Sequence, residues 1–92
     1  MEKARAHVII EGRVQGVFFR AYTCDQARQN KVTGWVKNRN DGKVEAVFEG
    51  EKKAVEKIID WCHIGPPYAV VKKVIVNWEE YQGEFSSFSV RY

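Results

Sequence analysis

Glycine, a change from strand to helix and an arginine meet in the segment Gly12-Arg13-Val14-Gln15-Gly16-Val17-Phe18-Phe19-Arg20. Glycine lets backbone N–H groups come close to an anion. The N-terminus of a helix adds unpaired N–H groups with a partial positive charge. An arginine at that point grips a phosphate or carboxylate through two parallel N–H bonds. Together these features describe a cradle for a small anion, with phosphate as the natural first ligand. Arg20 is its charged member. A cation near a helix N-terminus opposes the dipole by about 0.3–1 kcal/mol, and an anion joining the two reverses that cost. Phe18 and Phe19 are apolar and are expected to anchor the loop on the core.

The second candidate is Asn38, at the end of Gly34-Trp35-Val36-Lys37-Asn38. An asparagine that closes a strand before a turn is common, so its type alone carries little. Its value depends on whether the fold brings the end of that strand to the cradle.

Other chemistries lack their residues. His7 and His63 fall in different elements with no carboxylate or thiol at ligand spacing, so no metal site is expected. Cysteine-based phosphate chemistry needs an arginine shortly after the cysteine, whereas Cys24 follows Arg20 and no arginine comes soon after Cys62. Neither a nucleophile-elbow serine nor a Walker motif is present. An enzyme built from these residues works without metal, covalent intermediate or bound cofactor.

The positioning elements follow from periodicity. Residues 4–14 read as a strand, with Ala6, Val8 and Ile10 alternating against His7, Ile9 and Glu11. Residues 20–30 read as a helix with Cys24 and Ala27 inward. Residues 32–38 and 43–49 read as strands joined by the turn Asn40-Asp41-Gly42. Residues 51–63 form the clearest helix, since Val55, Ile58, Ile59 and Cys62 make one apolar stripe and Gly65-Pro66-Pro67 stops it. Residues 69–78 and 85–92 read as the last two strands, with Phe88, Val90 and Tyr92 aligned on the second. The order is β-α-β-β-α-β plus a terminal strand. That is the α+β, ferredoxin-like split βαβ sandwich, a mostly antiparallel sheet with two helices on one face and the first and third strands central.

The chain has 92 residues, which fits a single domain over 1–92, and its 45% hydrophobic content is globular. A net charge of +3 suits a small anionic substrate and is too thin to argue for nucleic acid. No apolar run is long enough for a membrane span. The start, Met1-Glu2-Lys3-Ala4-Arg5-Ala6, lacks the apolar core of a signal peptide, so a cytoplasmic location is expected. Cys24 and Cys62 fit semi-buried thiols better than a bridge between the helices. Trp35, Trp61 and Trp78 are expected to pack rather than to offer stacking platforms. With no surplus apolar stripe, a monomer is the default.

Two segments resemble the paired signatures of the acylphosphatase family. The first is Gly12-x-Val14-Gln15-Gly16-Val17-Phe18-Phe19-Arg20. The second is Gly34-Trp35-Val36-Lys37-Asn38, followed by Gly42-x-Val44 and Gly50. The similarity runs from about residue 6 to the aromatic Tyr92. It implies hydrolysis of the carboxyl–phosphate bond of acyl phosphates, with inorganic phosphate as product and inhibitor. By the family's pattern, Arg20 and the backbone of Gln15, Gly16, Val17, Phe18 and Phe19 bind the phosphoryl group, and Asn38 holds the attacking water. So small a domain implies a shallow cleft and broad tolerance of the acyl group.

Two other readings share the fold. A nucleic-acid module would fit the pI of about 9.0, but the strands lack the aromatic-rich, basic pattern that stacks bases. A domain that senses an anion without chemistry would keep the cradle. The presence of both Arg20 and Asn38 favours catalysis over it.

Overall fold

A computed structural model describes residues 2–92; Met1, the first residue of the polar N-terminal stretch, lies outside the described residues. The elements run β1 (Lys3–Arg13), α1 (Phe19–Gln29), β2 (Thr33–Asn38), β3 (Val44–Glu51), α2 (Lys52–Cys62), β4 (Val70–Glu79) and β5 (Phe88–Arg91). The sheet order is β4-β1-β3-β2-β5, with β1 and β3 central as their alternation requires. All pairings are antiparallel except β2 with β5.

One face of the sheet is apolar. Ala6, Val8 and Ile10 of β1 and Val44, Ala46 and Phe48 of β3 are fully buried there, because side chains two apart share a face. Both helices cover that face. α2 buries the expected stripe of Val55, Ile58, Ile59 and Cys62. α1 buries Phe19 and Thr23 along with Cys24 and Ala27, and the Thr23 hydroxyl donates to the Phe19 carbonyl at 2.7 Å. Each large apolar side chain so buried contributes about 1.5–3 kcal/mol.

β4 and β5 occupy opposite edges, so the chain between them must cross the sheet. It crosses the face away from the helices and is held there by Glu49 of β3. That carboxylate is fully buried and accepts bonds from the backbone N–H groups of Gln82, Gly83 and Glu84 at 2.8–3.3 Å and from the Arg5 guanidinium at 3.2 Å. Arg5 also pairs with Glu79 and Glu84 and lies over the Phe85 ring. This crossing explains why the last strand begins at Phe88 rather than at residue 85. Residues 85–87 belong to the strap, whose Ser87 carbonyl accepts a bond from the Gly34 N–H.

The tryptophans divide. Trp61 packs on Phe19 with ring centroids 5.5 Å apart. Trp35 and Trp78 stay outside the apolar core and act as platforms for cations: Arg91 and Lys37 lie over Trp35, and Lys52 lies over Trp78. Trp35 alternates with buried Gly34 and Val36, which puts it on the face away from the helices.

Candidate active site

Between β1 and α1 the chain runs through residues 14–18. Val14 and Val17 are buried and fix this loop on the core, while Gly16 and Phe18 take left-handed backbone with φ of 74° and 65°. A Cβ at Gly16 would meet nothing within 4 Å, so position 16 demands a conformation rather than space. Phe18 satisfies the same demand with a side chain attached, at a strain of about 1–2 kcal/mol. It is the N-cap of α1, and its ring is 69% exposed. Of the two phenylalanines Phe19 alone joins Val14 and Val17 in anchoring the loop; the expectation that Phe18 would share that task is not met, because the backbone reversal at 18 leaves its ring in solvent.

Gly12 also departs from the cradle reading. It lies within β1, at a register shift against β4, and a Cβ there would come within 2.1 Å of the Val70 carbonyl oxygen. Its lack of a side chain serves strand contact, not anion contact.

The start of α1 is poor as a helix start. It has no side-chain cap and no acidic residue in its first turn, and Arg20 stands there instead. Among the described residues no carboxylate pairs with Arg20. Its guanidinium lies over the ring of Tyr92 at 4.8 Å.

Asn38 is the last residue of β2. The sheet register brings it to the loop, since Val44 of β3 lies opposite both Ile10 and Asn38, and the Gln15 amide, donating to the carbonyls of Arg39 and Lys43 at 2.8 and 2.9 Å, ties the loop to the β2–β3 turn. Arg20 and Asn38 therefore line one cleft of about 290 Å³, together with Gly16, Phe18 and Phe19. Val14, Ala21, Val90 and Tyr92 complete it, while the side chains of Gln15 and Val17 turn elsewhere, Gln15 to the β2–β3 turn and Val17 into the core. The bridging role of the Gln15 side chain and the place of Val90 and Tyr92 at the cleft escape the sequence reading. The only signal for the latter two is their alignment with Phe88 along the last strand.

Both histidines are engaged elsewhere, His7 with Glu45 at 2.6 Å and His63 with the Ile59 carbonyl at 2.9 Å. Among the described residues no group of three or more His, Cys, Asp or Glu side chains could hold a metal ion. Cys24 and Cys62 are buried, unbridged thiols. Burial pushes the Cys62 thiol up to about 12, which leaves no thiolate for nucleophilic work near neutral pH. Among the described residues no helix is long and apolar enough to cross a membrane.

This geometry has relatives. The family model described as Acylphosphatase matches residues 6–90. The chain is 54% identical to the acylphosphatase of Pelotomaculum thermopropionicum over 92 residues, covering 100% of both chains. It is 57% identical to that of Pyrobaculum aerophilum over 91 residues, covering 98% of this chain and 96% of the other. The crystal structure of acylphosphatase from Bacillus subtilis superposes with a TM-score of 0.93 at 35% identity, covering 97% of this chain and 99% of that one. Matched along nearly its whole length in sequence and in fold, with both signature segments meeting at one cleft, the chain belongs to the acylphosphatase family.

Proposed function

We propose that the chain hydrolyses the carboxyl–phosphate bond of acyl phosphates, giving a carboxylate and inorganic phosphate, at the cleft between the start of α1 and the end of β2. The observation that carries this reading is the convergence of Arg20, which has no carboxylate partner among the described residues, with Asn38 at an uncapped helix N-terminus. Arg20 and the backbone of residues 15–19 hold the phosphoryl oxygens. Asn38 holds the attacking water in line with the bond that breaks.

The chemistry needs little else. The departing carboxylate has a conjugate acid of pKa about 4, so no strong general acid is required. Phosphoryl transfer depends mainly on positioning and on charge stabilisation of the equatorial oxygens. No side chain of the two signature segments is a good base at neutral pH, and the proton of the water passes to a phosphoryl oxygen of the substrate. The protein acts as a cytoplasmic monomer, folded as one domain, without metal or cofactor. Phosphate, the product, inhibits by occupying the same cradle.

The test is hydrolysis of benzoyl phosphate in EDTA, with and without inorganic phosphate. Turnover that survives EDTA and is inhibited competitively by phosphate is expected. Phosphate binding without turnover would move the protein to anion sensing.

A further inference from the structure

We infer that Phe18 and Tyr92 are two aromatic contacts that select the acyl group, favouring acyl phosphates with an aromatic or extended apolar acyl chain over small ones. The inference rests on the function proposed above and names its preferred substrate class.

The polar side-chain groups of the cleft are the Arg20 guanidinium, the Asn38 amide and the Tyr92 hydroxyl. The rest of the lining is apolar side chain, Val14, Phe18, Phe19, Ala21 and Val90, with no Asp, Glu or Lys side chain among them. A phosphoryl group seated at Arg20 therefore has apolar surface beside its acyl substituent, which a large apolar substituent covers and a small one does not.

Phe18 has no packing reason to be aromatic. Its ring is 69% exposed on strained backbone, and it pairs with no other aromatic ring among the described residues. Glycine would fill this position without strain. A large apolar ring held at the lip of a cleft against both exposure and strain fits a ligand contact.

Tyr92 is 99% exposed; the Arg20 guanidinium lies over its ring at 4.8 Å, and on its other side it borders a neighbouring hollow with Lys37, Arg39 and Asp41. A guanidinium donates hydrogen bonds from its edge and stacks by its face. The phosphoryl oxygens and the Tyr92 ring thus use different parts of Arg20 and can be held at the same time. That keeps the ring beside the bound substrate, where an apolar acyl group covers it and is covered by it.

Each ring contributes on the scale of one aromatic contact, a preference of about 3–10-fold. The experiment measures kcat/KM for benzoyl phosphate and acetyl phosphate in the unaltered protein and in Phe18→Ala, Tyr92→Ala, Tyr92→Phe and the double alanine variant. Phe18→Ala and Tyr92→Ala are each expected to lower the benzoyl-to-acetyl ratio by about 3–10-fold, and the double variant further. Tyr92→Phe is expected to keep the ratio. A purely structural role lowers both substrates together and leaves the ratio alone. A ratio unchanged in both alanine variants, or lowered as far by Tyr92→Phe as by Tyr92→Ala, overturns the inference while leaving the proposed function standing. An unaltered protein that hydrolyses neither substrate overturns both.

Discussion

Both helices begin without a side-chain cap and without an acidic residue in the first turn, and both carry cations there, Arg20 in α1 and Lys52 with Lys53 in α2. Each start borders a hollow, of about 290 Å³ at α1 and about 450 Å³ at α2. The surroundings separate them. At α2 the hollow is lined by Glu2, Glu51 and Glu56, and the Lys52 ammonium and N–H are taken by the side chain and carbonyl of Glu2. At α1 the lining holds no carboxylate, and Asn38 stands in the same cleft as Arg20. On the proposed function, a helix dipole and a large hollow are insufficient for an anion site. The positive field must be left unneutralised by the protein, and a second polar group must share the space.

The sharpest way to break this contrast is to remove the cation from each start in turn. Arg20→Gln is expected to lower kcat/KM by more than about 10³ and to abolish inhibition by phosphate, since a charge-assisted fork is lost at the reacting group. Arg20→Lys keeps the charge but not the fork and is expected to lose at least about 10². Steady-state kinetics with benzoyl phosphate check both.

Asn38→Ala tests the other half of the cleft. It is expected to lower kcat by about 10²–10³, the usual cost of one preorganised polar group. The phosphate inhibition constant should stay within about threefold, because the cradle is untouched. A variant that keeps most of its kcat would remove Asn38 from the orientation of water.

A smaller effect is expected from the far face of the sheet, where the buried Glu49 carboxylate is hydrogen-bonded by the strap and paired with Arg5. Burial alone would raise the Glu49 carboxyl, but the N–H groups of the strap and the Arg5 guanidinium outweigh it and hold it below the usual carboxylate range. Its folded value is therefore below its unfolded one. The stability it contributes is complete above the ordinary carboxylate pKa of about 4.3 and is lost as pH falls through the folded value. Glu49→Gln is expected to cost about 1–3 kcal/mol at pH 7 and to weaken the dependence of thermal stability on pH below about pH 4. Melting curves from pH 3 to 7 check this; equal acid sensitivity in both proteins would point to other carboxylates.

The smallest effect is expected at the second helix start. Lys52→Gln should change kcat/KM by less than about twofold, within what a solvated surface charge does.

Much of this was legible from residue types alone. The stripe of Val55, Ile58, Ile59 and Cys62 and the alternation of β1 reported their burial because regular periods map directly onto faces. Arg20 and Asn38 stood out through their segments, but their nearness follows from the register that sets Ile10 and Asn38 on either side of Val44, and the Gln15 bonds that fasten the loop to the β2–β3 turn carry no sequence signature. Phe18 and Phe19 are the same residue type side by side, and only the left-handed backbone at 18 separates their fates. The strap latched on Glu49 was hidden for a similar reason. An isolated glutamate in a strand reads as a solvated residue until a connection that must cross the sheet is laid over it.

The proposed function requires phosphate to bind at the start of α1 and not at that of α2. Its most direct test is a titration of the isotope-labelled protein with inorganic phosphate, followed by amide resonances. Saturable shifts confined to residues 15–20 and the Asn38 side-chain amide are predicted. Shifts centred on Lys52 and Lys53, or spread without saturation over surface lysines, would contradict the account.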